Sequence, residues 1–133
     1  MIGIERVDHI CVAVKDLDGA AAIWGPFFGK SKPDLEYIHE AEAIHVFRYK
    51  VGEIYYELMA STRKGSEVDR FISSKGEGIM LISFKVPNVE TAMKVLRDQG
   101  YRLIDETPRT WRQSHYAFVH PGFMNGVLVE IID

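Results

Sequence analysis

The chain of 133 residues has the length of one ordinary domain, and its 47% hydrophobic and 26% charged residues are the balance of a globular protein, not of a disordered or fibrous one. Lys and Arg number 16 against 19 Asp and Glu, a formal net charge of −3 with no basic stripe to follow a phosphate backbone, so nucleic acid is not an expected partner. No apolar run approaches the ~20 residues of a membrane span, no leader pattern precedes the first element, and the single cysteine, Cys11, cannot make an internal disulfide; a cytoplasmic protein without a membrane partner is expected.

Residues 7–16 read as a strand carrying His9 and Cys11, followed by a polar turn in which Asp16 can cap a helix. That helix runs from Gly19 through Trp24 toward Gly29, a glycine suited to the left-handed position after a last turn. Strands are expected over 36–39 and 44–50, and another within 51–59 carrying Glu57. Residues 66–72 look like a short amphipathic helix, after which Lys75, Gly76, Glu77 and Gly78 lead into a strand beginning at Ile79. Asn88 can cap a further helix running from Thr91 toward Gly100, in which Val89, Ala92, Met93 and Leu96 form one apolar face. Strands at 102–104 and 115–119 and a closing strand with Glu130 complete the chain, with His120 and Pro121 shaping the turn before the last strand.

The two halves repeat. Residues 7–16 align without a gap on 79–88, and residues 51–59 align on 123–131, each of the latter pair ending in a strand with a glutamate. Positions 9 and 81 differ by 72 and positions 57 and 130 by 73, so one duplication with about one residue of slippage accounts for both matches. The result is a βαβββ unit twice over, with one module at about 5–60, a connecting helix and linker at about 61–78, and a second module at about 79–133, together a single domain over 1–133.

With His9 on the first strand, Glu57 on the fourth, the Lys-Gly-Glu-Gly linker at 75–78, and the ending His120-Pro121 followed by Gly126-Val127-Leu128-Val129-Glu130, the chain resembles the vicinal oxygen chelate superfamily, particularly its glyoxalase and methylmalonyl-CoA epimerase group. Two further segments, at 56–60 and 103–109, are similar to the same group, and the likeness spans nearly the whole chain. It implies an α+β fold in which two βαβββ modules form a cupped, half-open β-barrel. It also implies a homodimer and a divalent ion held by one residue from each of four strands, positions occupied here by His9, Glu57, Leu81 and Glu130. Leu81 cannot ligate a metal. The remaining imidazole and two carboxylates suit Mn, Co, Ni or Zn. In that reading Glu57 and Glu130 are the catalytic acids, and the ion stabilises the enolate formed when a base removes the proton beside a carbonyl.

Bland readings stand beside these. Alone on an apolar strand, His9 would be a core histidine bonded to backbone, the two glutamates would be solvent-facing strand positions, and Cys11 would be a small buried hydrophobe. Two glutamates facing one cavity would repel, so one of them must take a proton or recruit a cation. Trp111, Arg112, His45 and His115 are candidate substrate-binding residues, Arg112 for an anionic and Trp111 for an apolar group. Many epimerases have a second glutamate base on the middle strand of the first module, where residues 44–48 offer no acid, so a coenzyme A thioester is an open expectation for the substrate. An enolising epimerase-like or glyoxalase-like enzyme is the leading reading. A non-catalytic small-molecule binder of the same fold, or a metal-independent isomerase or cyclase, is the alternative.

Overall fold

The β-branched and aromatic runs fold as strands and the amphipathic runs as helices, in the order expected for a duplicated unit. In the computed structural model, which describes all 133 residues, these are β1 (Arg6–Ala13), α1 (Leu17–Phe28), β2 (Leu35–His39), β3 (Ile44–Val51), β4 (Ile54–Ser61), α2 (Glu67–Lys75), β5 (Gly78–Lys85), α3 (Val89–Asp98), β6 (Arg109–Trp111), β7 (Ser114–Val119) and β8 (Leu128–Ile132), with a 3-10 turn at Pro121–Phe123 before the last strand. The chain divides into two compact units, Ile10–Met80 on one side and Met1–His9 with Leu81–Asp133 on the other. No helix is long and apolar enough to cross a membrane.

The strand order β2-β3-β4-β1 is repeated as β6-β7-β8-β5, the structural trace of the duplication. Because successive strand residues point to opposite faces, each unit has a helix-covered face and a face of different chemistry. In Ile10–Met80, Phe47, Tyr49, Leu58 and Ala60 pack with Leu17 and the partly buried Trp24 and Phe28 of α1. Arg48 and Glu57, register partners on β3 and β4, therefore lie on the other face. In the other unit, Ala117, Val119, Val129 and Ile131 pack against Val89, Ala92, Met93 and Leu96 of α3, the face expected from their spacing. Phe118, Glu130 and Ser83, register partners across β7, β8 and β5, lie opposite. Leu58 is wholly buried, so truncating it to alanine costs about 2–5 kcal/mol.

Helix ends follow the residues that stop them. Gly29 takes φ 74° after α1, and its N–H reaches the carbonyls of Gly25 and Pro26. Asn88 caps α3 by accepting the Thr91 N–H at 2.8 Å, as its side chain suggests, whereas Asp16 begins α1 without a side-chain cap. Ser66 caps α2 by accepting from Asp69 N–H at 3.1 Å.

One strand is elsewhere than expected. Residues 102–104 make only an isolated bridge, Leu103 to Val119, and the paired strand is β6 at Arg109–Trp111. The cause is Asp105, whose Oδ2 accepts the Phe118 N–H at 2.9 Å and so occupies a place that a strand carbonyl would fill. Arg97 Nη2 adds bonds to the carbonyls of Asp105 (2.8 Å) and Glu106 (2.7 Å), holding the segment as a loop.

Candidate metal and active site

In the unit formed by Met1–His9 and Leu81–Asp133, an array of four polar side chains is buried. His9 is 6% exposed, Glu130 6%, Asp8 9% and Ser83 0%. Nδ1 of His9 lies 2.9 Å from Asp8 Oδ2, and its Nε2 lies 3.2 Å from Glu130 Oε1. Ser83 Oγ donates to the same Glu130 oxygen at 2.6 Å, and Arg6 Nη2 donates to Asp8 Oδ1 at 3.2 Å. Both ring nitrogens face carboxyl oxygens, so the contact at Nε2 is satisfied either by a proton, on the ring or on the Glu130 carboxyl, or by a cation between the two.

The donor chemistry here fits a divalent ion. Two ligands each ~2.1 Å from a metal and set ~90–110° apart are themselves roughly 3.0–3.4 Å apart, and the 3.2 Å between Nε2 and Oε1 falls in that interval. Asp8 then does what a carboxylate behind a metal histidine does, fixing the tautomer and ring orientation. Leu81, buried at the position where the resemblance implies a ligand, sits beside Leu128 in the register and offers no donor atom. The polar group on β5 is Ser83, two residues further on the same face.

In Ile10–Met80, Glu57 is 3% exposed and both its oxygens are engaged. Oε1 is 3.4 Å from Cys11 Sγ; Oε2 is 3.4 Å from Tyr37 OH and 3.3 Å from Arg48 Nη1. The Arg48 guanidinium lies 3.6 Å over the Tyr55 ring, which holds its plane in place. A buried carboxylate requires a counter-charge, and Arg48 is the cationic partner that the sequence left unnamed. Cys11 and Ser83 occupy equivalent places in the duplicated strands, and each donates to the glutamate of its own unit. Comparing residues 7–16 with 79–88 beyond His9 and Leu81 contained the signal for Ser83.

The candidate substrate-binding residues separate. His45 is bonded to Glu36 Oε2 at 2.7 Å and stacks edge-on to Phe47, so it shares the helix-side face of β3 and not that of Arg48. His115 is half exposed, and its Nδ1 is 3.2 Å from Asp133 Oδ1. Burial works to raise the Asp133 carboxyl above its ordinary value, but hydrogen bonds from Val89 N–H, His115 N–H and the His115 ring outweigh it and hold the group low. Trp111 ends β6 on the face that carries Arg109 and Tyr116, and Arg112, with φ 56° at the hairpin turn, stacks its guanidinium 4.8 Å from the indole. His39, at the end of β2, is 6% exposed. His120 accepts the Gly122 N–H through Nδ1 at 3.0 Å, the turn-shaping role expected of it.

Comparison with known proteins places the chain in a family. Residues 8–118 match the model of the glyoxalase/bleomycin resistance protein/dioxygenase superfamily. The chain is 30% identical over 131 residues to the protein YqjC of Bacillus subtilis, covering 98% of this chain and 93% of the other. Among solved structures it is similar to methylmalonyl-CoA epimerase from Mycobacterium tuberculosis, with 30% identity, TM-score 0.89, and coverage of 97% of this chain and 87% of that one. It is also similar to the Streptomyces coelicolor methylmalonyl-CoA epimerase in complex with 2-nitronate-propionyl-CoA, at 28% identity and TM-score 0.90, covering 98% and 97% of the two chains. The α+β fold of two βαβββ modules implied by the resemblance is thus the fold of these epimerases, and the chain belongs to the glyoxalase/bleomycin resistance protein/dioxygenase superfamily.

Proposed function

We propose that the protein enolises an acyl-CoA thioester or a similarly small carbonyl compound, an isomerase reaction of the epimerase type. The observation that carries this reading is the buried array Asp8, His9, Glu130 and Ser83, with Nε2 and Oε1 at a separation suited to one shared divalent cation. An ion held by His9 and Glu130 supplies Lewis-acid stabilisation of the negative charge that develops on a carbonyl oxygen.

Every other contribution comes from the chain. Asp8 holds the His9 ring by Nδ1. Ser83 orients Glu130 by a hydrogen bond to Oε1. Glu57 is assigned to proton transfer, within hydrogen-bonding reach of Cys11 and Tyr37, while Arg48 balances its charge and favours a substrate carrying an anionic group. Trp111 and Arg112 are assigned to the acyl substituent, and a homodimer, measurable by light scattering, is the assembly that goes with this reading.

The test is incorporation of deuterium from D2O at the carbon beside the thioester carbonyl, followed by NMR across branched and carboxylated acyl-CoA substrates. Exchange that depends on added Mn, Co, Ni or Zn supports the proposal; no exchange with any substrate in the presence of metal removes it. A second reading, a metal-independent isomerase or cyclase, draws on the same His9 imidazole flanked by two carboxylates, which is also an arrangement for moving a proton. Exchange that persists after chelation and disappears in Glu130→Gln would select it.

A further inference from the structure

Within Ile10–Met80 a cavity of about 680 Å3 opens where β1 and β4 end beside α2. Val14 and Ile72 supply apolar walls, Ser61, Thr62 and Ser73 supply hydroxyls, and Lys15, Arg63 and Lys64 supply three cations. None of those three side chains is joined to a carboxylate. The one acid in the lining, Asp69, is committed to its loop, accepting the Gly65 N–H through Oδ2 at 2.7 Å. Glu77 lies near but spends an oxygen on the Lys15 backbone N–H at 2.8 Å. Cations scattered on a convex surface are merely solvated, but three around one concavity repel each other and concentrate an anion's counter-charge.

We infer that this cavity binds phosphate esters, and, resting on the acyl-CoA reading above, that it receives the phosphate-bearing end of the thioester carrier. Three cations with hydroxyl donors match a group having several charged oxygens better than a single carboxylate. The position also suits the reaction. Ser61 and Glu57 lie on the same face of β4, four residues apart, which at ~3.3 Å per residue is about 13 Å, so an acyl end near Glu57 and a phosphate end at the cavity are joined along one strand.

The test is calorimetric titration of the full chain with coenzyme A, with adenosine 3′,5′-bisphosphate as its nucleotide end, and with pantetheine, which lacks the phosphates. In the triple variant Lys15→Gln, Arg63→Gln, Lys64→Gln, binding of the first two weakens by about tenfold or more while pantetheine is unaffected. Thermal unfolding confirms that the variant folds, and two-dimensional NMR of the unaltered protein with the bisphosphate provides a readout that needs no variant, with shifts centred on the amides of Lys15, Thr62, Arg63 and Lys64. Unchanged coenzyme A affinity in the triple variant, or shifts that bypass those amides, overturns the inference. Bisphosphate binding at the cavity without deuterium exchange into any acyl-CoA keeps the phosphate site and removes the acyl-CoA reading; exchange with unchanged coenzyme A binding in the variant does the reverse.

Discussion

His9 Nε2 and Glu130 Oε1 face each other at 3.2 Å, although 121 positions separate 9 from 130 in the chain. The contact joins the first strand to the last, and it places an imidazole and a carboxylate where one cation, proton or metal, serves both. Asp8 and Ser83 close the ends of the array, so each of its members is held by at least one neighbour.

In the proposed metal-binding role of His9, Asp8 positions the ligand without being one. Asp8→Asn keeps the shape but removes the charge behind Nδ1, and metal affinity should fall by roughly 10–100-fold while the metal-free fold survives. Competition with a chromogenic chelator measures it. Affinity equal to that of the unaltered protein would show that Asp8 only anchors Arg6.

Arg48 and Glu57 form an ion pair at the centre of β3 and β4, with Glu57 3% exposed. Arg48→Met leaves the carboxylate buried without its counter-ion and should cost about 2–4 kcal/mol of unfolding free energy. Adding Glu57→Gln should recover most of that loss, and denaturant titration of the four proteins gives the coupling. Equal losses in the single and double variants would mean that the guanidinium acts through its packing on Tyr55 instead.

Asp133 links the end of the chain to the start of α3 and to His115. Its folded-state carboxyl titrates below its ordinary value of 3.8, so its contribution to stability is present above that pH and is lost as pH falls through the lower folded value. Melting temperature followed from pH 5 down to pH 2 should drop more steeply for the native chain than for Asp133→Asn. Parallel curves would contradict the role given to this carboxylate.

The order of elements and the duplication were legible because they depend on local pattern: period-two strands, an i, i+3, i+4, i+7 helix face, and a constant offset between halves. β6 was not, since a side chain, Asp105 Oδ2, takes a backbone partner and no pattern of apolar residues encodes that. Arg48 was also hidden. An arginine on a strand reads as a solvated position, and only the register that sets it opposite Glu57 turns it into a counter-ion. Asp8 escaped for a similar reason: adjacent strand residues point to opposite faces, yet Nδ1 sits close enough to the backbone for its neighbour's carboxylate to reach it at 2.9 Å. His45 shows the converse, a plausible polar residue that strand alternation sends to the helix side.

Metal uptake is the decisive measurement for the paired His9 and Glu130 side chains. Chelator-treated protein is dialysed against Mn, Co, Ni or Zn and assayed by elemental analysis, beside His9→Ala and Glu130→Ala variants shown by circular dichroism to be folded. Divalent-ion binding by His9 and Glu130 predicts stoichiometric uptake by the unaltered chain and its loss in both variants. No uptake by the unaltered chain, or uptake that both variants retain, would contradict it.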